Sequence, residues 1–242
     1  MLQTIETLSG RPVEFKPDSS LSLRATLQLA RNGAPAHVLR YRPTNDPMDY
    51  WVAYQAGYLL RLLELPPSER FDFSGTGVAG DRVLELLTAG LELTDAERES
   101  APRFADAVAH WAMVNLRSFA IGLRIDKWIA DQYPSLKTLQ RQGMDAIQQE
   151  NLALLSRRSG KLTIPVSLLG PVAACALFAE RLLGRSTYAI PYRAAGALEL
   201  GADLLAIVDR VPHGAAHDRE LVDAWADALG MSGWYAWIPY KP

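Results

Sequence analysis

The stretch DYWVAYQAGYLLRLLELPP, Asp49 to Pro67, decides what kind of chain this is. Met48 to Leu65 reads as one long apolar helix, closed by Pro66-Pro67, which cannot continue it. Residues 54, 55 and 58 lie on one side of that helix, because positions three and four apart are neighbours. Helical periodicity governs nearly everything from Asp46 onward. It predicts further helices over Asp81–Leu93, Thr94–Arg117, Ile121–Tyr133, Leu136–Arg158, Leu168–Leu183, Ala194–Val208 and Asp218–Leu229, stopped by Gly160, Gly184, Pro191 and Gly230. Upstream the pattern changes. Gln3–Leu8 and Pro12–Lys16 flank Ser9-Gly10 as a hairpin or two edge strands, His37–Tyr41 reads as a strand, and Leu21–Arg31 has helical spacing. The expected fold is α+β and predominantly helical. A single domain carries a small N-terminal β element (residues 1–43) on a helical body (residues 44–242).

Composition narrows the function classes. Of 242 residues, 49% are hydrophobic, and 25 basic side chains face 27 acidic ones for a net charge of -2. That balance supports a buried core and argues against a general nucleic-acid binder, which shows a basic excess or stripe. The lone cysteine, Cys175, excludes an internal disulfide and a cysteine-based zinc cluster. Its apolar surroundings, VAACALF, suit a buried inert thiol. His37, His110, His213 and His217 are the whole stock of imidazoles. The longest apolar run, Ile164 to Leu183, is broken by Pro165, Ser167, Gly170, Pro171 and Glu180-Arg181, short of the roughly 20 clean residues of a membrane span. The opening MLQTIETLSGRPVEF has no basic segment followed by an apolar run, so no secretory signal is expected. The expected location is the reducing cytoplasm.

Three constellations bear on chemistry. Gly75-x-Gly77-x-x-Gly80 matches the dinucleotide-binding fingerprint, but only the short Phe71-Asp72-Phe73 precedes it and no βαβ alternation follows. A connector capped by Asp81 is the preferred reading. His213 and His217 have the spacing of a metal pair on a helix, yet Pro212 and Gly214 place His213 in a loop and no third ligand accompanies them. Asp218 reads as a first-turn acid of the last helix. The third constellation is the set Tyr54, Gln55 and Tyr58. Zinc peptidases put His, Glu and His at this spacing, two imidazoles on the metal and a carboxylate as general base for the bound water.

The segment resembles the HExxH helix of zincin-type metallopeptidases of the small bacterial, cytoplasmic kind, with the motif replaced by Tyr-Gln-x-x-Tyr. Gly57 retains the small residue that often precedes the second histidine. In such proteins a strand ending in a HxLRYRP-like stretch, here His37 to Pro43, leads into the metal helix, and a later helix brings a third, acidic ligand. The corresponding helix here is SFAIGLRIDKWIADQYPSL, which places Asp126 nearest that slot. The closing DRELVDAWADALGMSGWYAWIPY also looks like the family's C-terminal helix and aromatic tail. The resemblance covers residues 35 to 135 and the last twenty-five. It implies a zincin-like body; with the motif residues replaced, neither a metal nor a cofactor is expected.

The replaced residues cannot run zinc chemistry. A phenol with a pKa near 10 must ionise before it binds metal well, and Gln55 cannot take up a proton as the general base must. Two phenols, an amide and one carboxylate compete poorly for zinc. An aromatic i, i+4 pair in an apolar helix is also what plain core packing produces. Arg124 and Lys127 flank Asp126, which suits a carboxylate salt-bridged at the surface. Two functions are therefore expected. The first is a catalytically degenerate zincin-like protein that binds a small molecule or a protein partner in the former metal cleft. The second is a metal-free lyase, isomerase or cyclase using Tyr54, Tyr58 and Asp126 there. The aromatic tail, Trp225 to Tyr240, would close over a pocket or form a homo-oligomer contact, although a C-terminus simply packed onto the body is the more common arrangement. Neither nucleic acid nor membrane is an expected partner.

Overall fold

A computed structural model describes residues 1–21, 24–43 and 48–241. Ser22 and Leu23, inside the segment with helical spacing, and Asp46, where helical periodicity begins, lie outside the described residues. The chain opens with helix α1 (Leu2–Ser9), where the sequence predicts a strand. Ile5 is 1% exposed and packs against Ala56, Leu59 and Leu60, so a helical apolar stripe wins over alternation. Gly10, at φ 68, ends this helix in a left-handed cap rather than turning a hairpin.

Strands β1 (Val13–Pro17), β2 (Ala25–Gln28) and β3 (His37–Tyr41) form one sheet with β3 in the middle. It runs parallel to β1 and antiparallel to β2. The helix suggested by Leu21–Arg31 is replaced by β2, in which Leu27 lies opposite the fully buried Leu39. Cross-strand pairing overrides local spacing in so short a segment.

The helical body begins with α2 (Met48–Leu63). A 3-10 turn, Pro67–Glu69, leads into β4 (Phe71–Gly75) and then α3 (Ala79–Thr88). Next comes α4 (Asp95–Gln132), a single helix of 38 residues where periodicity suggests two. Thr94 starts it with a capping box closed by Glu97, and Arg117 to Ile121 contains no residue that stops a helix. Helix α5 (Lys137–Leu155) is followed by the two-residue strands β5 (Arg158–Ser159) and β6 (Leu162–Thr163). After α6 (Gly170–Leu183) comes a short helix that periodicity does not predict, α7 (Ile190–Ala194), in whose first turn Pro191 is accommodated rather than acting as a stop, and α8 (Leu198–Arg210) corresponds to the expected Ala194–Val208 helix. Helix α9 (Asp218–Leu229) has the expected bounds, and the aromatic tail forms β7 (Tyr235–Pro239).

Most of α6 is buried in the core. The stretch Val166–Leu183 is long and apolar enough to cross a membrane, but 61% of it is buried inside the fold. The glycine fingerprint does not sit in a βαβ unit. Among the described residues strand β4 pairs only with β7, antiparallel, with Phe73 opposite Trp237. At Gly80 a Cβ would collide with the Asp106 carboxylate of α4, so this glycine lets α3 lie close against α4.

Candidate functional site

Helices α2 and α4 meet through two notches. A Cβ on Gly57 would stand 2.6 Å from Ile125 Cγ2, so only hydrogen allows the helices this close. Gly122 serves the same purpose from the other side, since the Tyr54 hydroxyl occupies the place its Cβ would take. Tyr50, Tyr54 and Tyr58 follow one another at i, i+4 along the face of α2 toward α4. Their ring centroids are 5.9 Å (Tyr50 to Tyr54) and 5.5 Å (Tyr54 to Tyr58) apart.

The outermost phenol, Tyr58, donates to the main-chain carbonyl of Ser118. A phenol has one proton, so in the 3.5 Å contact between the two hydroxyls Tyr54 is the donor. Burial pushes the pKa of both phenols well up, and Arg117 partly offsets the rise at Tyr58. Neither ionises near neutral pH, so neither is available as a phenolate ligand.

Asp126 lies at the inner end of this row and is 4% exposed. The reading of Asp126 as a surface carboxylate held by Arg124 and Lys127 is therefore corrected. Residues two before and one after it on a helix point elsewhere: Arg124 pairs with Asp218 at 3.2 Å, and Lys127 with Asp131 at 2.6 Å. Asp126 Oδ1 instead accepts from the Tyr50 hydroxyl at 2.9 Å and from Gln140 Nε2 at 3.1 Å. Burial raises its pKa to about 7 against the lowering effect of those two hydrogen bonds. Nearby, burial lifts the Cys175 thiol to about 12, which leaves it the unreactive group the sequence suggests.

Tyr54, Tyr58 and Asp126 are thus brought together, and Gln55 is not. Its Nε2 donates to the Ala25 carbonyl of β2 at 3.2 Å and ties α2 to the N-terminal sheet. His37 is also structural: it is 3% exposed, and its Nδ1 accepts from the Ala30 amide at 3.1 Å. Tyr50 and Gln140 were missed by sequence reasoning. Tyr50 was detectable as one further step of the Tyr54–Tyr58 spacing, whereas nothing local distinguishes Gln140.

Open space begins one turn beyond the phenol row. A cleft of about 160 Å³ is bounded by Tyr58, Arg61, Arg117, Asp218, Phe71 and Trp237. An adjoining hollow at Arg31 and Asp72 shares Arg117 and Phe71 with it. Arg61 grips Asp218 through Nε and Nη2, both at 2.6 Å, and also donates to the His213 carbonyl. Arg124, 4% exposed, reaches Asp218 from α4 and anchors to the Val211 carbonyl at 2.8 Å. His213 therefore contributes its main chain, while the His217 ring contacts Glu220 at 2.9 Å. Among the described residues, no group of three or more His, Cys, Asp and Glu side chains could hold a metal ion.

The aromatic tail forms the far wall. Tyr235 and Trp237 both donate to Asp223 Oδ1, at 2.6 and 2.8 Å, which fixes β7 on α9. Phe73 stacks on Tyr235 with centroids 4.4 Å apart. No family model, curated protein or solved structure matches this chain. A functional reading rests on the geometry and the sequence motif.

Proposed function

We propose that the chain is a non-hydrolytic binding protein on a degenerate zincin-like scaffold, and that its ligand is a small molecule held in the cleft beside Tyr58. One observation carries this reading. The Tyr54 and Tyr58 hydroxyls are closed against Gly122 of α4, Gln55 is turned to β2, and of the candidate residues it is Tyr58 that lines the cleft. Tyr54 and Tyr58 replace imidazoles with phenols that stay protonated, and Gln55 is turned to the β-sheet, so the parts needed for zinc-water attack are missing.

The metal-free enzyme has less support. Its acid or base, Asp126, has a pKa suited to proton transfer at neutral pH, but it is not among the residues lining the cleft. Metal analysis after incubation with one equivalent of zinc and dialysis tests the proposal. Retention of less than a tenth of an equivalent is expected. Stoichiometric zinc, or peptide hydrolysis abolished by a chelator, would overturn it.

A further inference from the structure

We infer that the cleft is an anion site, in which Arg117 and Arg219 hold the carboxylate or phosphate of a small ligand while its flat apolar part lies against Phe71 and Trp237. The inference rests on the proposal that this cleft is the binding site.

Three guanidiniums line the cleft, and they are not equivalent. Arg61 is satisfied by Asp218, and Arg124 behind it shares the same carboxylate. In the adjoining hollow Arg31 is paired bidentately with Asp72, at 2.6 Å on each oxygen. Arg117, near the middle of α4, lines both hollows. It is half-buried, and no hydrogen bond, ion pair or ring contact engages it among the described residues. The carboxylates closest to hand are taken, Asp218 by two arginines and Asp72 by Arg31. Glu69, at the exposed rim, is the remaining acid of the cleft. A guanidinium partly withdrawn from water without a counter-charge is unfavourable unless an anion completes it.

Arg219 supplies a second, independent donor set. Its guanidinium carbon lies 3.9 Å from the Phe71 ring centroid and 5.5 Å from that of Trp237. Stacking uses the face of the guanidinium and leaves the in-plane N–H groups for another partner. No carboxylate within salt-bridge distance of Arg219 is found among the described residues. Two guanidiniums without a carboxylate partner among the described residues, the half-buried Arg117 and the exposed Arg219, line one cavity, and the planar fork of each suits the oxygens of a carboxylate or phosphate. Tyr58 cannot serve as a donor there, because its proton is given to Ser118. The walls are otherwise apolar, from Leu62, Leu65 and Ile121. The cleft itself, about 160 Å³, is below the roughly 300–1,000 Å³ of drug-sized pockets and takes one small ring or a short chain, while the adjoining hollow of about 520 Å³ leaves room for a longer ligand to extend past Arg117.

Calorimetry on the full chain with phenyl phosphate, benzoate and the neutral benzamide tests this. One of the two anions is expected to bind 1:1 and to weaken as salt is raised, and benzamide is expected to bind at least tenfold more weakly. Whichever anion binds more tightly identifies the group. Arg117→Gln should weaken anion binding by about ten- to a hundredfold, the range for a charge-assisted hydrogen bond, with the circular dichroism spectrum retained. Arg219→Gln should act in the same direction, and the exposed Arg141→Gln should change nothing. Anion binding untouched by Arg117→Gln would overturn the inference. So would benzamide binding as well as benzoate, in which case the cleft remains the ligand site and only its anionic character falls. Absence of binding by all three probes would count against the cleft itself.

Discussion

Asp126 is the residue whose environment departs furthest from what its neighbours in sequence suggest. Its pKa is raised from 3.8 to about 7, chiefly by burial. A carboxyl whose pKa is higher in the fold than in the unfolded chain favours folding below pH 4, and that contribution disappears as pH rises through 7. Asp126→Asn keeps an acceptor for Tyr50 and Gln140 and removes the ionisation. The variant is expected to match the wild type below pH 4 and to pull ahead from there to about pH 7, reaching on the order of 4 kcal/mol at pH 8, from about three units at 1.36 kcal/mol each. Urea denaturation at pH 5, 6, 7 and 8 measures the difference, and parallel curves would refute the buried-acid assignment. His37 acts in the opposite sense. Burial, aided by the charge of Arg11, lowers its pKa, so its contribution is intact above pH 6.5 and lost as pH falls below that value. His37→Asn, which can accept the Ala30 N–H through Oδ1, should flatten the acid limb of the same titration. At this scale the sequence conveyed the Tyr54–Tyr58 pair well, because i, i+4 spacing is geometry. It could not convey that Asp126 faces inward, since Arg124 and Lys127 beside it use other faces of α4.

Between elements, the decisive contact is the α2–α4 crossing. Gly122→Ala improves helix propensity by up to about 1 kcal/mol, but its methyl would take the place of the Tyr54 hydroxyl. Overpacking of this kind costs roughly 1–3 kcal/mol, so a net loss is expected. Tyr54→Phe removes the oxygen that clashes. The double variant should recover at least half of the loss, and simple additivity of the two substitutions by thermal denaturation would show that the notch is not what separates the helices. Long, strongly periodic elements such as α2, α5 and α9 were legible because their apolar period is sustained over several turns. The short ones were not. Helix α1 is fixed by the contact of Ile5 with α2, β2 by its register on β3, and β7 by pairing with Phe71–Gly75 far upstream. In each case the partner lies outside the segment, beyond what a local pattern encodes.

Across the molecule, a net charge of -2 conceals an uneven distribution of charge. Arginines gather where α2, α4, α9 and the β4–β7 ribbon converge, and one carboxylate, Asp218, joins Arg61 of α2 to Arg124 of α4 from the first turn of α9. The side chains of Arg61, Asp218 and Arg124 are 17%, 14% and 2% exposed, so solvent screens this network far less than an exposed pair. Removing the shared carboxylate leaves two guanidiniums facing each other without a counter-charge. Asp218→Asn is therefore expected to cost about 3–5 kcal/mol, the range for breaking a buried pair. In a chain of this size that lowers Tm by roughly 6–20 °C. Arg124→Met in the same chain removes the more deeply buried of the stranded charges and should restore part of the loss, although Arg124→Met alone is destabilising because Asp218 and the Val211 carbonyl lose a donor. A scanning-calorimetry cycle over the four chains reads this as positive coupling. If Asp218→Asn costs less than 0.5 kcal/mol, typical of a surface substitution, Asp218 does not hold the three helices together, and the cleft must owe its shape to the aromatic ribbon alone.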